Sequence, residues 1–284
     1  MPRETIAHTV FFWAAWLSAA STLMVFGFMG VLGYPILRDG LLWKMLLAPW
    51  SPVHQSYGIR SMIAGTLWIA IPGMLLAAPL SLGCAVLISV VAPRGIGRLL
   101  HGVVHWMTGI PTVVYGFVGI FLLVPLVRQI FGHGSGLCAL SAALMLAVLV
   151  APTMILFFVQ GLAQVPRSYL TAAAALGATP VQRLVYVMLP NAWRTLSAGL
   201  ILGFGRAVGD TMVALMLAGN AVALPHSVLD SARTLTAHIA LVIAADFDSP
   251  EFRSLFLCGL ILYTFTLAAT LAVRCAVANR MKRL

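Results

Sequence analysis

An all-α integral membrane protein with about six transmembrane helices is what this sequence predicts. Hydrophobic residues fill 61% of its 284 positions and charged residues only 8%, whereas a soluble domain is about 25% charged. The mean hydropathy is +1.02, and no soluble fold could solvate such a surface. The apolar residues also gather in long runs, each close to the roughly 20 residues a helix needs to cross a bilayer. One membrane domain without a separate soluble part is therefore expected.

The first run, residues 9–33, exceeds the roughly 7–15-residue apolar core of a signal peptide, so an uncleaved span is expected there. Further spans are expected near residues 62–92, 102–127, 137–161, 195–221 and 252–274. Pro72, Pro79 and Pro152 read as ordinary kinks. Gly109, Pro111 and Gly116 interrupt the third span and free backbone groups that need partners in protein or in a wet cavity. Thr112 and Tyr115 are the candidates there to line a path. Residues 235–245 are apolar too, but about a dozen residues suit an interfacial or re-entrant helix. Asp248-Ser249-Pro250-Glu251 then starts the last span: Ser caps, Pro takes the first helical position, and the acids lie beside the positive end of the dipole.

Basic residues set the orientation. One side collects ten of them, Arg3, Arg94, Arg98, Arg167, Arg183, Arg194 and four from Arg274 onward; the other holds six, with Asp39, Asp230, Asp246, Asp248 and Glu251. Both termini are thus expected in the cytoplasm. Residues 1–60 are read as the first helix and an extracytoplasmic connection, 61–275 as the core, and 276–284 as a basic cytoplasmic tail. The net charge of +10 is scattered between apolar runs, which argues against a nucleic-acid partner. Cys84, Cys138, Cys258 and Cys275 form no CxxC pair and read as small core residues. His101 and His105 are one turn apart without a third ligand, so they are read as interface histidines and no metal is expected.

The longest cytoplasmic connection, residues 162–193, has legible punctuation. Pro166 suits a first helical position and Gly177 a left-handed terminus, which bounds one short helix. Thr179-Pro180-Val181-Gln182 fits a capping box, so a second helix starts at once and is expected to stop before Pro190. On it Val181, Leu184, Val185 and Met188 give an apolar face. Such a face needs cover, either the chain's own helix ends or another subunit.

These residues carry a resemblance. Thr171-Ala172-Ala173, then Gly177, then Val187-Met188-Leu189-Pro190 resembles the EAA loop of ABC importer permeases (E-A-A, three residues, G, nine residues, I, one residue, L-P), with every spacing matched. The resemblance implies the type I, MetI-like architecture. It also implies that Thr171, Ala172, Ala173, Gly177 and Pro190 belong to coupling helices that dock into a groove of a separate ATPase subunit. Thr171 stands where the pattern has Glu, so docking is carried over without that residue's ion pair. The chain supplies no ATPase of its own: a Walker A motif needs Gly-Lys-Ser/Thr, and the lysines are Lys44 in Trp-Lys-Met and Lys282 in Met-Lys-Arg. This chain is therefore expected to be no enzyme and to bind no cofactor, with ATP and Mg used by the partner.

Arg206 lies 11 residues beyond Thr195, about 16 Å into the fifth expected span and near the middle of a roughly 30 Å core. Burial there costs at least about 2.5–3.5 kcal/mol. Asp210, one turn on, is expected on the same helical face, where the two can pair. Either they form a structural ion pair, or Arg206 faces a polar path and offers its planar fork of donors to an oxyanion. In the second reading Asp210 holds or releases it. Gly199, Gly203, Gly205 and Gly209 would let a neighbouring helix approach closely, which places the site at a helix interface.

Gly205-Arg206-Ala207-Val208-Gly209-Asp210-Thr211-Met212 resembles the G-R-A-x-G-E-T-M stretch of phosphate importer permeases. Gly109-Ile110-Pro111-Thr112-Val113-Val114-Tyr115-Gly116, Ala218-Gly219-Asn220 and Ala232-Arg233-Thr234-Leu235-Thr236 fit the same family, PstC more than PstA. The resemblance covers roughly residues 58–274. It implies inorganic phosphate as substrate, with Arg206 and Asp210 (Glu in the family) in its passage. It further implies a dimer of ATP-binding subunits, a second permease subunit, an extracytoplasmic phosphate-binding protein and the bacterial cytoplasmic (inner) membrane. The expected mechanism is alternating access, in which ATPase closure moves Arg206 between outward and inward exposure through the coupling loop. The alternatives are an ABC permease for molybdate, tungstate or sulfate, and a channel or ion-coupled transporter that needs no ATPase. No paired carboxylates, Ser-Lys dyad or HExxH motif support an intramembrane enzyme.

Overall fold

A helix pairs its backbone N–H and C=O groups within one segment, which is what lipid demands, and this chain is helical along most of its length. The computed structural model describes residues 2–38, 40, 42–132, 134–246 and 249–281. Asp39, Asp248, Lys282 and Arg283, used above to orient the chain, lie outside the described residues.

Helix α1 (Pro2–Arg38) carries the first apolar run and is followed by α2 (Leu42–Leu47) and a two-stranded hairpin, β1 (Trp50–Ser51) with β2 (Ser56–Tyr57). Helix α3 (Arg60–Val86) contains Pro72 and Pro79 without interruption and ends in a π-turn at Leu87–Val91. The third expected span divides. Helix α4 (Arg94–Thr108) stops at Gly109, and a new stretch begins with α5 (Thr112–Val118), passes a π-turn at Gly119–Leu123 and ends with α6 (Val124–Phe131). The span therefore runs over Thr112–Phe131, not residues 102–127, because Pro111 offers no N–H to continue α4 and is extended at φ −60°, ψ 140°. Gly116 does not interrupt it: it lies inside α5 against Met216.

Helix α7 (Ala139–Ala163) follows, then α8 (Arg167–Ala175) and α9 (Pro180–Arg183). Contrary to expectation α9 does not stop before Pro190. A π-turn at Leu184–Met188, closed by Leu189 N–H on Leu184 O, carries it into α10 (Leu189–Gly209). The extra residue in that turn makes room for the Pro190 ring, which in an unbroken α register would strike the carbonyl four residues back.

The expected fifth span also divides. Helix α10 ends at Gly209, Asp210 is extended (φ −71°, ψ 129°), and α11 (Met212–Leu217) is a separate helix. The short helix expected at 235–245 is α12 (Leu235–Val242), and α13 (Pro250–Met281) is the last. Ser249 caps α13 as expected, its Oγ accepting from Phe252 N–H at 3.1 Å.

Among the described residues, five helical stretches are long and apolar enough to cross a membrane: Ala7–Tyr34, Arg60–Val91, Thr112–Phe131, Ala139–Ala163 and Pro250–Leu271. Helix α10 is 21 residues long but carries Arg194 and Arg206, and it supplies the remaining expected span in charged form. The core lies around α7, which packs along α3 and α10 and buries Leu149, Val150, Met154 and Leu162 completely. Gly199 and Gly203 sit against Phe158 and Met154 of α7, so small residues do admit a close neighbour there. Helix α1 packs on α13 and exposes Phe11, Leu17 and Met24, a surface made for lipid. All four cysteines are free; Cys138 and Cys258 are buried, while Cys84 and Cys275 are exposed and not core residues. Lipid tails are as apolar as a core, so a thiol is equally at home on either side.

Candidate functional site

Two helix breaks meet at one cleft. The first lies between α4 and α5 at Gly109-Ile110-Pro111, the second between α10 and α11 at Asp210-Thr211. A cleft of about 500 Å³ is lined by Thr112, Gly205, Arg206, Gly209, Asp210, Thr211 and Met212. Irregular backbone at membrane depth is tolerated where protein satisfies it or where it lines a cavity. Gly205 and Gly209 have open space where a Cβ would stand, so of the four glycines in this run two face α7 and two keep the cleft open.

Arg206 occupies the last turn of α10, where the negative end of the helix dipole favours a cation. Its Nη1 donates to Thr153 Oγ1 at 3.1 Å, which aims the guanidinium from α7, one residue past Pro152. Asp210 is buried, and its Oδ2 accepts from Val213 N–H at 2.8 Å. The pairing expected on one helical face is corrected: among the described residues no ion pair joins Arg206 to Asp210, because the helix ends between them. A short carboxylate that reaches a nearby backbone N–H favours ending one helix and starting another.

The Asp210 carbonyl at the break is also satisfied. Thr236 Oγ1 donates to Asp210 O at 2.8 Å, and Thr66 of α3 holds the same segment by accepting from Leu235 N–H at 3.0 Å. The two further motifs form one unit behind this break. Gly219 and Asn220 are both left-handed (φ 81° and 57°); Ala232 N–H donates to Ala218 O at 2.8 Å, and Arg233 Nε donates to Asn220 O at 3.1 Å. Left-handed backbone is what Gly and Asn tolerate best.

Thr112 lines the cleft, but Tyr115 does not. Its side chain is buried, and its hydroxyl donates to Met107 O at 3.0 Å, tying α5 to the end of α4 across the first break. Thr153 escaped sequence reasoning, since a threonine beside a helix proline carries no signal of its own partner 53 residues away; Thr236 is legible only as part of a motif, without its bond to Asp210.

In the loop between α7 and α10 the turn and the second cap take the form read from the sequence, while Pro166 stands just before α8 as its cap residue and not at its first position. Gly177 is left-handed at φ 81°. Thr179 N–H donates to Gln182 Oε1 at 2.8 Å and Gln182 N–H donates to Thr179 Oγ1 at 3.3 Å, which completes the capping box. Thr171 bonds back to its own helix, donating to Ser168 O at 3.0 Å; Ala172 and Pro190 are exposed and Ala173 is half-buried. The apolar face splits: Met188 is buried and Leu184 half-buried against the chain, while Val181 and Val185 point out beside Tyr186 and Leu176, the last 89% exposed. His101 and His105 are exposed, and no group of three or more His, Cys, Asp or Glu among the described residues is placed to hold a metal.

A multi-pass helical membrane chain with a broken-helix cleft and a loop of two short helices, α8 and α9, has the architecture expected of a transport permease. Residues 77–283 match the family described as "Binding-protein-dependent transport system inner membrane component", and this chain belongs to that family. It is 34% identical over 228 residues to "Probable ABC transporter permease protein YqgH" of Bacillus subtilis (strain 168), covering 79% of this chain and 74% of that one. It is 33% identical over 247 residues to the phosphate transport system permease protein PstC of Xylella fastidiosa (strain 9a5c), covering 79% and 75%. The fold resembles a chain of the inward-facing MetNI methionine ABC transporter, with a TM-score of 0.60 at 18% identity over 84% of this chain and 98% of that one.

Proposed function

We propose that this chain is the PstC-type permease subunit of an ATP-driven importer of inorganic phosphate in the bacterial cytoplasmic membrane, with both termini in the cytoplasm. Relatives named as phosphate permeases support the substrate. The observation that carries the reading is the half-buried Arg206 at a cleft built from two helix breaks. Its bond to Thr153 orients the guanidinium while using one of five N–H donors, so the others remain available to an oxyanion that matches their planar fork. Thr112 and Thr211 line the same cleft and add hydroxyls.

The partners in this reading are a dimer of ATP-binding subunits, a second permease subunit and an extracytoplasmic phosphate-binding protein. The ATP-binding subunit docks on α8, α9 and the π-turn that follows, around which Leu176, Val181, Val185 and Tyr186 stand exposed. Helix α9, the π-turn and α10 form one continuous rod from Pro180 to Gly209. Arg206 lies 26 residues along it, about 39 Å at 1.5 Å per residue. Movement of the docked end is thus delivered directly to the arginine, which alternates between outward and inward exposure.

The test is uptake of radiolabelled phosphate by the assembled transporter in proteoliposomes. Arg206→Ala is expected to lower uptake at least about thirtyfold, the scale of removing one partner from a buried, hydrogen-bonded charge pair, at unchanged recovery of the ATP-binding subunit. Uptake at the unmodified rate would overturn the role, and competition by sulfate or molybdate as strong as by phosphate would overturn the substrate.

A further inference from the structure

Helix α4 has three faces, and the transport reading uses none of them. On a helix of 100° per residue, Arg94, Arg98, His101 and His105 share one narrow arc. Opposite them Ile96, Leu99, Val103 and Trp106 form an exposed apolar stripe, with Leu99 66% and Trp106 77% exposed. The flank between is buried: Gly97 lies against the Ile88 carbonyl and Val104 is shielded, with α7 alongside. Both ends of α4 are tied to membrane spans, Arg60–Val91 before it and Thr112–Phe131 after it. The helix is therefore held at one face of the bilayer. Counting spans, that face is the one where α7 runs into α8, the side of the coupling loop.

We propose that α4 is an anchor lying in the plane of that membrane face, with its apolar stripe in the acyl boundary and its arginines on anionic phospholipid headgroups. At 15 residues it covers about 22 Å of surface. A basic arc opposite an apolar stripe containing Trp is the pattern of an interfacial helix. The arc complements the negative surface of an anionic leaflet, and the spans on both sides keep the stripe at the depth where lipid is available. Anchored there, α4 fixes the point at which the chain enters the first break of the cleft, since Thr108 is followed at once by Gly109 and Pro111.

The assembled transporter, placed in nanodiscs of phosphatidylcholine with about 30% phosphatidylglycerol, tests this. The Trp106 fluorescence is obtained by subtracting that of the Trp106→Phe protein. It is expected to be quenched by phosphatidylcholine brominated near the headgroup and not by aqueous iodide. The paired variant Arg94→Gln with Arg98→Gln, at exposed positions, is expected to keep that quenching. It should lose preferential retention of phosphatidylglycerol over phosphatidylcholine by up to about fivefold per arginine, as measured with spin-labelled lipids. Quenching by iodide would place the stripe in water, and shielding from both quenchers would place it against another protein subunit. Either result overturns the proposal, as does an unchanged lipid preference in the paired variant.

Discussion

The Asp210 carboxylate accepts from Val213 N–H at 2.8 Å while Thr236 donates to the Asp210 carbonyl at 2.8 Å, so one donor and one acceptor freed by the helix break are satisfied within protein. Asp210→Asn keeps an acceptor for Val213, and its fold is expected to survive with little loss. Asp210→Ala leaves that buried N–H unpaired and is expected to cost about 1–3 kcal/mol, read as a lower unfolding midpoint in detergent. Transport that fails in both variants would mark the charge, whereas failure in the alanine variant alone would mark the cap. A second carboxylate is tuned by its backbone. Asp230 accepts from the N–H groups of His226 and Ser227 at 2.8 and 2.9 Å, and these bonds hold its carboxyl below the usual carboxylate range. Its folded pKa lies below its unfolded one, so its stabilisation is present above about pH 4 and fades as pH falls through the folded value. In the loop it closes, Asp230 O accepts from Ala139 N–H and Val228 O from Leu140 N–H, the first amides of α7. Exchange protection at Ala139 and Leu140 is therefore expected to fall below about pH 4, and Asp230→Asn should remove that pH dependence.

Secondary elements in this chain are shaped by where their ends fall. Gly177 is left-handed with open space around it, so its need for glycine comes from the backbone and not from crowding. Gly177→Ala is expected to destabilise the turn by about 1 kcal/mol and Gly177→Asn by less, because Asn tolerates that conformation. Amide exchange at Ala178 and Thr179 reports the difference. The π-turn at Leu184–Met188 makes one lever out of what the sequence presents as two helices divided by Pro190. Proline and glycine mark places where a helix is allowed to change. Whether it stops, widens or continues is decided by the groups that lie next to it: Pro72 and Pro79 lie inside an uninterrupted α3, while Pro111 follows the end of α4.

Across the whole molecule, the exposed apolar residues separate by destination. Those of α1 suit lipid, and those around α8 and α9 suit a partner. Leu176→Glu is expected to leave the permease fold unchanged, since the side chain is 89% exposed, yet to lower recovery of the ATP-binding subunit about tenfold in a pull-down; full recovery would place the docking surface elsewhere. Composition, hydropathy and local punctuation by themselves determined the helical membrane class, most of the spans, the left-handed Gly177 and the Thr179 capping box, and Arg206 and Asp210 as residues of interest. These features are legible because they arise from forces that act within a few residues: burial, capping and backbone preference. Only the tertiary structure decided that Arg206 leans on Thr153, that Asp210 caps α11 instead of pairing with Arg206, and that Tyr115 braces the first break instead of lining the cleft. Thr153 lies 53 residues from Arg206, and Thr236 lies 26 from Asp210. A hydrogen bond between such positions depends on which helices pack together, and no local pattern records that.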